Sequence, residues 1–295
     1  MRGTQGNRSG YLSPTIRGPY LKQNGSFNER ITFTSNIVDT AQTRKPTMPP
    51  LQIIDSHIHL WPGSATNTAG HSWMTPDFIL TKQHLLEDYY AASNPQSQNP
   101  DYEVQGVVYI ETDRTLLSPE GRSLSEWAAQ PLEEINFLRS IVEGKYGERD
   151  SRTLLALIPW APMDQGVAVF EEWLDLAKEL AGPKTWERVK GFRFLLQAIV
   201  DERKFRDLVL SEEFIQILRS FRTENRDFVF EVGISQHEGG VWQLGAIAEV
   251  LKRVNAGMPR DKQVTIVLSK FWLVVLQPSP MSKYSRPFVQ AEYDW

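Results

Sequence analysis

Two histidines one residue apart, His57 and His59, end the short apolar run LQIIDSHIHLWP, Leu51 to Pro62. Imidazole changes charge near neutral pH and binds transition metals through a neutral ring nitrogen. At i and i+2 on a strand, both rings point the same way and can reach one ion the size of Zn2+. Asp55, two residues earlier, is expected on the same face. Further along, FVFEVGISQH carries Glu231 and His237; with Gly233 and Ser235 these alternate onto one face, so His237 points inward only if Glu231 does. Arg193, in VKGFRFLL, is open to two roles, an ion pair with Glu231 in the core or a grip on substrate. Glu111 and Asp113, in YIETD, read as solvated acids at the mouth of such a site. Of the other histidines, His84 lies on a helical stretch, LTKQHLLEDYY, as a surface or interface residue, and His71 lies in a loop able to close over the site.

These residues need elements to hold them. From Gln52 onward, short apolar runs alternate with longer helical patterns, the signature of repeated βα units around a parallel sheet. The strand candidates are Gln52 to His59, Val104 to Thr112, Thr153 to Trp160, Val189 to Leu196, Asp227 to Ser235 and Gln263 to Ser269. Between them, PLEEINFLRSIVEG places Leu132, Ile135 and Leu138 on one face, with Pro131 suited to a first turn. VAVFEEWLDLAKELAG aligns Phe170, Trp173, Leu174 and Ala177, with Gly182 as a stop. SEEFIQILRSF and VWQLGAIAEVLKRV repeat the pattern. Such a series builds either an open doubly wound sheet or a closed (β/α)8 barrel. The first would open on a Gly-rich phosphate turn, and neither G-x-G-x-x-G nor G-x-x-x-x-G-K-[ST] occurs. The first strand ends in histidines instead, and in a barrel the C-terminal strand ends are where active sites form.

Composition narrows the partners. A formal net charge of -4 disfavours nucleic acid and anionic membrane surfaces. The absence of cysteine restricts any metal to His, Asp, Glu or a modified Lys. No apolar run approaches the roughly 20 residues of a membrane span. The expected partner is therefore a small molecule and the expected location the cytoplasm, with a homo-oligomer possible. Residues 1–48, rich in Gly, Ser, Thr and Pro with seven Lys or Arg against two acids, read as a disordered leader. Residues 49–269 hold the βα series, and 270–295 form a divergent tail.

IIDSHIHLWP, VVYIETD, VKGFRFLLQ and FEVGISQHEGGVWQL, in this order, resemble the lactonase-like branch of the amidohydrolase superfamily over about Leu51 to Ser269. The resemblance implies a TIM-barrel hydrolase that opens a sugar-acid or related lactone by attack of an activated water on the carbonyl. It implies metal ligation by His57, His59 and His237, with a divalent metal, Zn2+ first, or metal-free catalysis as the alternative. It assigns catalytic roles to His237 and Arg193. The chain departs from the pattern where the strand 6 histidine is expected, since VTIVLS runs into Lys270, and no acid matches the strand 8 aspartate; Asp294 lies outside any strand. The strand candidates start on average about 42 residues apart, so two further units need about 80 residues. The expectation is thus an incomplete barrel of about six βα units, truncated after strand 6. A non-catalytic barrel and a metal-dependent decarboxylase of the same superfamily stand as alternatives.

Overall fold

Runs of β-branched and aromatic residues too short for a helix pair into a sheet when amphipathic helices can cover its faces. The computed structural model describes residues 50–93, 102–234 and 240–269. The leader 1–48, His237 and the tail 270–295 lie outside the described residues.

Strand β1 (Leu51–Ile58) pairs with β2 (Tyr102–Ile110), and β2 with β3 (Leu154–Ile158), all parallel. A second sheet runs β4 (Gly191–Arg193), β7 (Val229–Gly233) and β8 (Thr265–Ser269), again parallel. Isolated parallel bridges, Leu157 to Val189 and Trp160 to Arg193, join β3 to β4. Backbone bonds from Leu157 N to Arg188 O at 2.8 Å and from Ala161 N to Arg193 O at 3.2 Å reinforce that seam. The spatial order β1-β2-β3-β4-β7-β8 therefore follows the chain, without the reversal of a doubly wound sheet. The small antiparallel pair β5 (Arg222–Thr223) and β6 (Arg226–Asp227) was not foreseen. It takes Asp227 out of the expected fifth parallel strand.

The sheet is strongly curled. Strands β1 and β7 stand four places apart, about 19 Å in a flat sheet, beyond the reach of two side chains. Yet His57 Nδ1 on β1 lies 3.5 Å from Glu231 Oε1 on β7. One surface of the curve thus gathers side chains from β1, β2, β4 and β7.

Helices cover the other surface: α1 (Leu86–Ala92), α2 (Leu124–Trp127), α3 (Ala129–Val142), α4 (Glu148–Thr153), α5 (Val167–Trp186), α6 (Glu202–Val209), α7 (Glu212–Ser220) and α8 (Gly240–Val254). Pro131 falls in the first turn of α3, where its missing N–H is no loss. In α5 the expected face is buried, and Gly182 takes φ 67°, a left-handed stop after which Pro183 begins a further turn to Trp186. Asp201 caps α6 through Lys204 N and Ser211 caps α7 through Phe214 N. Phe170 stacks on Phe221 at 5.7 Å, while Phe192 meets Phe170, Phe221 and Phe228 edge-on. Each buried phenylalanine contributes roughly 2 to 3 kcal/mol, so these rings pin β4 to the helix layer.

Candidate active site at the strand ends

The local fold sorts the β1 residues differently from simple alternation. Asp55 pairs with Val107 and Ile58 with Tyr109, three residues on β1 against two on β2, so a bulge sits between them. Asp55, expected on the histidine face, therefore does not join it. Its Oδ1 accepts the His57 backbone N–H at 3.2 Å and its Oδ2 accepts from Tyr89 on α1 at 3.2 Å. Burial, followed by the Asp55 charge, pushes the Tyr89 phenol up to about 12.

Beyond the bulge the two imidazoles meet, Nε2 to Nε2 at 3.2 Å, ring against ring edge-on. Their other nitrogens fix the tautomers. His59 Nδ1 is 3.1 Å from Ile110 O, and a carbonyl only accepts, so Nδ1 carries the proton. His57 Nδ1 faces the carboxylate of Glu231 at 3.5 Å, which likewise draws the proton to Nδ1. Both Nε2 atoms are then acceptors turned toward each other, an arrangement that is repulsive unless a proton or a cation lies between them. For Zn–N bonds near 2.0–2.1 Å, tetrahedral geometry puts two nitrogens about 3.3–3.4 Å apart. The pair thus fits two ligands of one such ion, with Glu231 and Ile110 O as the outer partners that orient ligating imidazoles. Among the described residues no group of three His, Asp or Glu converges on a metal position. His237, the expected third ligand, lies outside the described residues.

Behind the histidines is a buried ionic cluster. Arg193 Nε lies 2.9 Å from Glu231 Oε2 and 3.5 Å from Glu111 Oε1. All three side chains are at most 2% exposed. Of the two roles open for Arg193, the geometry is that of the core ion pair. Its Nη2 donates to Gln197 at 3.4 Å, and Gly233 makes the fit possible: a Cβ there would overlap Gln197 Oε1 and press on Arg193. Glu111 is not the solvated loop acid expected of it. Its Oε2 accepts the Asp113 backbone N–H at 2.5 Å, a bond made by Asp113 adopting φ 56°. Burial, reinforced by the Glu111 charge and opposed by Arg193, raises the Asp113 carboxyl to about 7.

The other two histidines are placed elsewhere. His71 is fully buried, with Nδ1 2.8 Å from Ala65 O and Nε2 2.9 Å from Thr112 Oγ1. Desolvation lowers it to about 4, against the raising effect of its bond to Ala65, so it stays neutral. Thr112 Oγ1 also lies 3.1 Å from Glu134 Oε2 on α3. Burial raises Glu134 to about 7 despite nearby Arg114. His84 precedes α1 instead of lying on a helix; it bridges Trp61, whose ring it meets at 4.5 Å, and burial lowers its pKa.

The geometry defines a curled parallel βα sheet with a histidine pair and a buried Glu–Arg–Glu cluster at the strand ends. The chain is similar to an L-rhamnono-gamma-lactonase of the yeast Scheffersomyces stipitis, 31% identical over 215 residues. That alignment covers 70% of this chain and 58% of the relative, so the chain matches under two thirds of the relative's length. No family profile matches the sequence, and no solved structure matches it. Among the described residues, no helix is long and apolar enough to cross a membrane.

Proposed function

We propose that the chain carries the βα core of a lactone hydrolase of the amidohydrolase type, its sheet forming part of a (β/α)8 barrel and its substrate a sugar-acid lactone. The observation that carries this reading is the convergence of His57 and His59 Nε2 at 3.2 Å, held from behind by Glu231 and Ile110 O. The likeness to a lactonase supports the choice of reaction, and a five-membered aldonolactone such as L-rhamnono-gamma-lactone is the first substrate to try.

In hydrolysis of a lactone, a water oxygen bonds to the ring carbonyl, the ring C–O bond breaks, and the former ring oxygen leaves as a hydroxyl. His57 and His59 would hold a divalent cation, Zn2+ in the first instance, with His237 as the third donor. When bound, that ion supplies a polarising Lewis acid and an acidified water. Glu231 holds the His57 Nδ1 proton, keeping Nε2 directed at the reacting centre. Arg193, committed to two carboxylates, positions Glu231 instead of gripping substrate. Asp55 stays outside the site and ties β1 to α1.

The test uses the full chain with Zn2+ and L-rhamnono-gamma-lactone, followed by release of acid. Turnover above the uncatalysed rate that disappears in His57→Asn and His59→Asn supports the reading. A folded chain that opens no aldonolactone, with or without Zn2+, overturns it, and carbon dioxide release from an aromatic or sugar acid would favour the decarboxylase instead.

A further inference from the structure

A lactone ring opens readily only when its departing oxygen takes a proton. The electron pair of the breaking ring C–O bond would otherwise leave on an alkoxide, a strong base near neutral pH. A site for this reaction therefore calls for an acid that still holds its proton near pH 7 and is fixed beside the reacting ring.

Asp113 stands where such an acid is wanted. It is the third residue after Ile110, whose carbonyl holds His59 at 3.1 Å, and so lies just past the C-terminal end of β2. The side chains around it divide. Thr112 Oγ1 lies by His71 and Glu134, and Arg114 Nε donates to Gln130 O, which sets both against the loop after β1 and α3. Glu111 turns instead to Arg193 at 3.5 Å, and the Asp113 carboxyl feels both of these charges. The charged groups that face it are Glu111 from its own strand end and Arg193 from β4, with Glu231 of β7 and His57 of β1 next beyond the guanidinium.

The backbone fixes this placement. Among the described non-glycine residues Asp113 alone has a left-handed φ, 56°, and its N–H donates to Glu111 Oε2 at 2.5 Å. Thr112 O accepts from Trp73 Nε1 at 3.3 Å, Thr115 N donates to Gly70 O at 3.1 Å, and Thr115 Oγ1 to Thr68 O at 3.0 Å. The turn is thus stitched on both sides to the loop after β1. Left-handed backbone strains a residue that has a Cβ, though aspartate tolerates it, and such strain collects where a side chain is being aimed. Glu111 and Arg193 are buried, whereas Asp113 is only half-buried, open to a ligand at the strand ends. Burial, then the Glu111 charge, keeps the proton on it up to about 7.

Resting on the hydrolase reading above, we propose that Asp113 is the catalytic acid of the site, its carboxyl handing a proton to the ring oxygen as the C–O bond breaks. The attacking water leaves a hydroxyl on the acyl carbon, and its other proton restores the Asp113 acid. Each turnover then consumes one lactone and one water and returns Asp113 to its starting state. The substrates favoured are lactones whose leaving oxygen is an aliphatic alcohol, because a poor leaving group gains most from a proton.

Asp113→Asn keeps the size of the side chain, the N–H to Glu111 and a residue tolerant of left-handed backbone. It removes only the transferable proton, so turnover should fall roughly 100-fold. The pH sign follows from the role: an acid must hold its proton, so kcat/KM of the native chain should fall as pH rises through about 7. Asp113→Asn should lack that falling limb.

The experiment follows opening of L-rhamnono-gamma-lactone by the full chain with Zn2+ present, from about pH 5 to 9, and melting of both forms. Opening slowed at least ~10-fold in Asp113→Asn, with the falling limb gone and melting unreduced, bears the proposal out. A smaller loss, a native profile without a falling limb, a limb that persists in Asp113→Asn, or a variant that melts lower or fails to fold overturns it. The hydrolase reading is judged on the native chain. Lactone opening that Asp113→Asn leaves intact defeats the acid and keeps the hydrolase; a folded native chain that opens no lactone defeats both.

Discussion

Two histidine–carboxylate clusters stand at the C-terminal ends of the first two strands, and they differ in how the ring nitrogens are used. His71 is fully enclosed: Nδ1 is at Ala65 O, Nε2 is at Thr112 Oγ1, and Glu134 lies behind the threonine. Both nitrogens are occupied by partners in the fold, so the ring acts as a bracket between the loop after β1 and the end of β2. His57 and His59 are held through Nδ1, on Glu231 and Ile110 O, and turn their Nε2 atoms toward each other. His57 also keeps 22% of its side chain exposed, whereas His71 keeps none. A histidine therefore declares its use by what its second nitrogen faces, more than by burial or by a neighbouring glutamate.

The sharpest way to break the comparison is to remove one ring from each cluster. His59→Asn should lower lactone opening by roughly 100-fold or more, the scale of losing a positioned catalytic group, while changing the melting temperature little. His71→Ala should do the opposite. It opens a cavity and leaves Ala65 O and Thr112 without their partner, so about 3 kcal/mol of stability should be lost. Turnover per folded molecule and Zn2+ affinity should remain within a few-fold of native. Denaturant unfolding and steady-state kinetics on both variants decide it: a His71→Ala protein of native stability but low turnover would merge the two clusters into one site.

Much of this division was legible in the sequence. The strand series, the helix faces and the stop at Gly182 follow from periodicity and from one backbone conformation that only glycine adopts cheaply. That the two histidines face each other also followed, because residues i and i+2 of a strand point the same way. Three features were not legible. The bulge between Asp55 and Ile58 moved Asp55 to Tyr89, and no residue in IIDSHI announces a bulge. Glu111 was misplaced because an acid just past a strand is usually wet, and only the curl that brings Arg193 across made it a core residue. His71 was placed in a loop, correctly, but its burial depends on Thr112 and Ala65 arriving from elsewhere.

The two clusters should also answer pH differently. Glu134 is raised to about 7, so the folded state holds its proton more tightly than the unfolded chain does. Its contribution is fully present below the unfolded value near 4.5 and is lost as pH rises toward 7. That amounts to on the order of 3 kcal/mol. His71, lowered to about 4, has the opposite sign: the unfolded chain takes the proton first, so its contribution grows as pH rises from about 4 to 6.5. Asp113, also raised to about 7, adds a decline of the same sign as Glu134, weakened by its partial exposure. Glu134→Gln removes one declining arm. Unfolding free energies between pH 4.5 and 7 should therefore fall less steeply with pH in Glu134→Gln than in the native chain, with a difference of up to ~3 kcal/mol across the window. Parallel profiles would show that Glu134 titrates normally and that the polar cluster around His71 is not dry.

The smallest effect tests where the site stops. If the bulge has moved Asp55 out of the histidine face, its carboxylate belongs to the fold, bonded to the His57 N–H at 3.2 Å and to Tyr89 at 3.2 Å. Tyr89→Phe removes one hydrogen bond to a charged group that keeps its other partner, which should cost about 1 kcal/mol of stability. Because His57 is oriented by Glu231 through its ring and not by Asp55 through its side chain, kcat/KM should change less than ~3-fold, an expectation that rests on the tautomer being set from the Nδ1 side. A loss of turnover near that of His59→Asn, in a Tyr89→Phe protein that unfolds normally, would put Asp55 back among the reacting groups and make the bulge part of the chemistry.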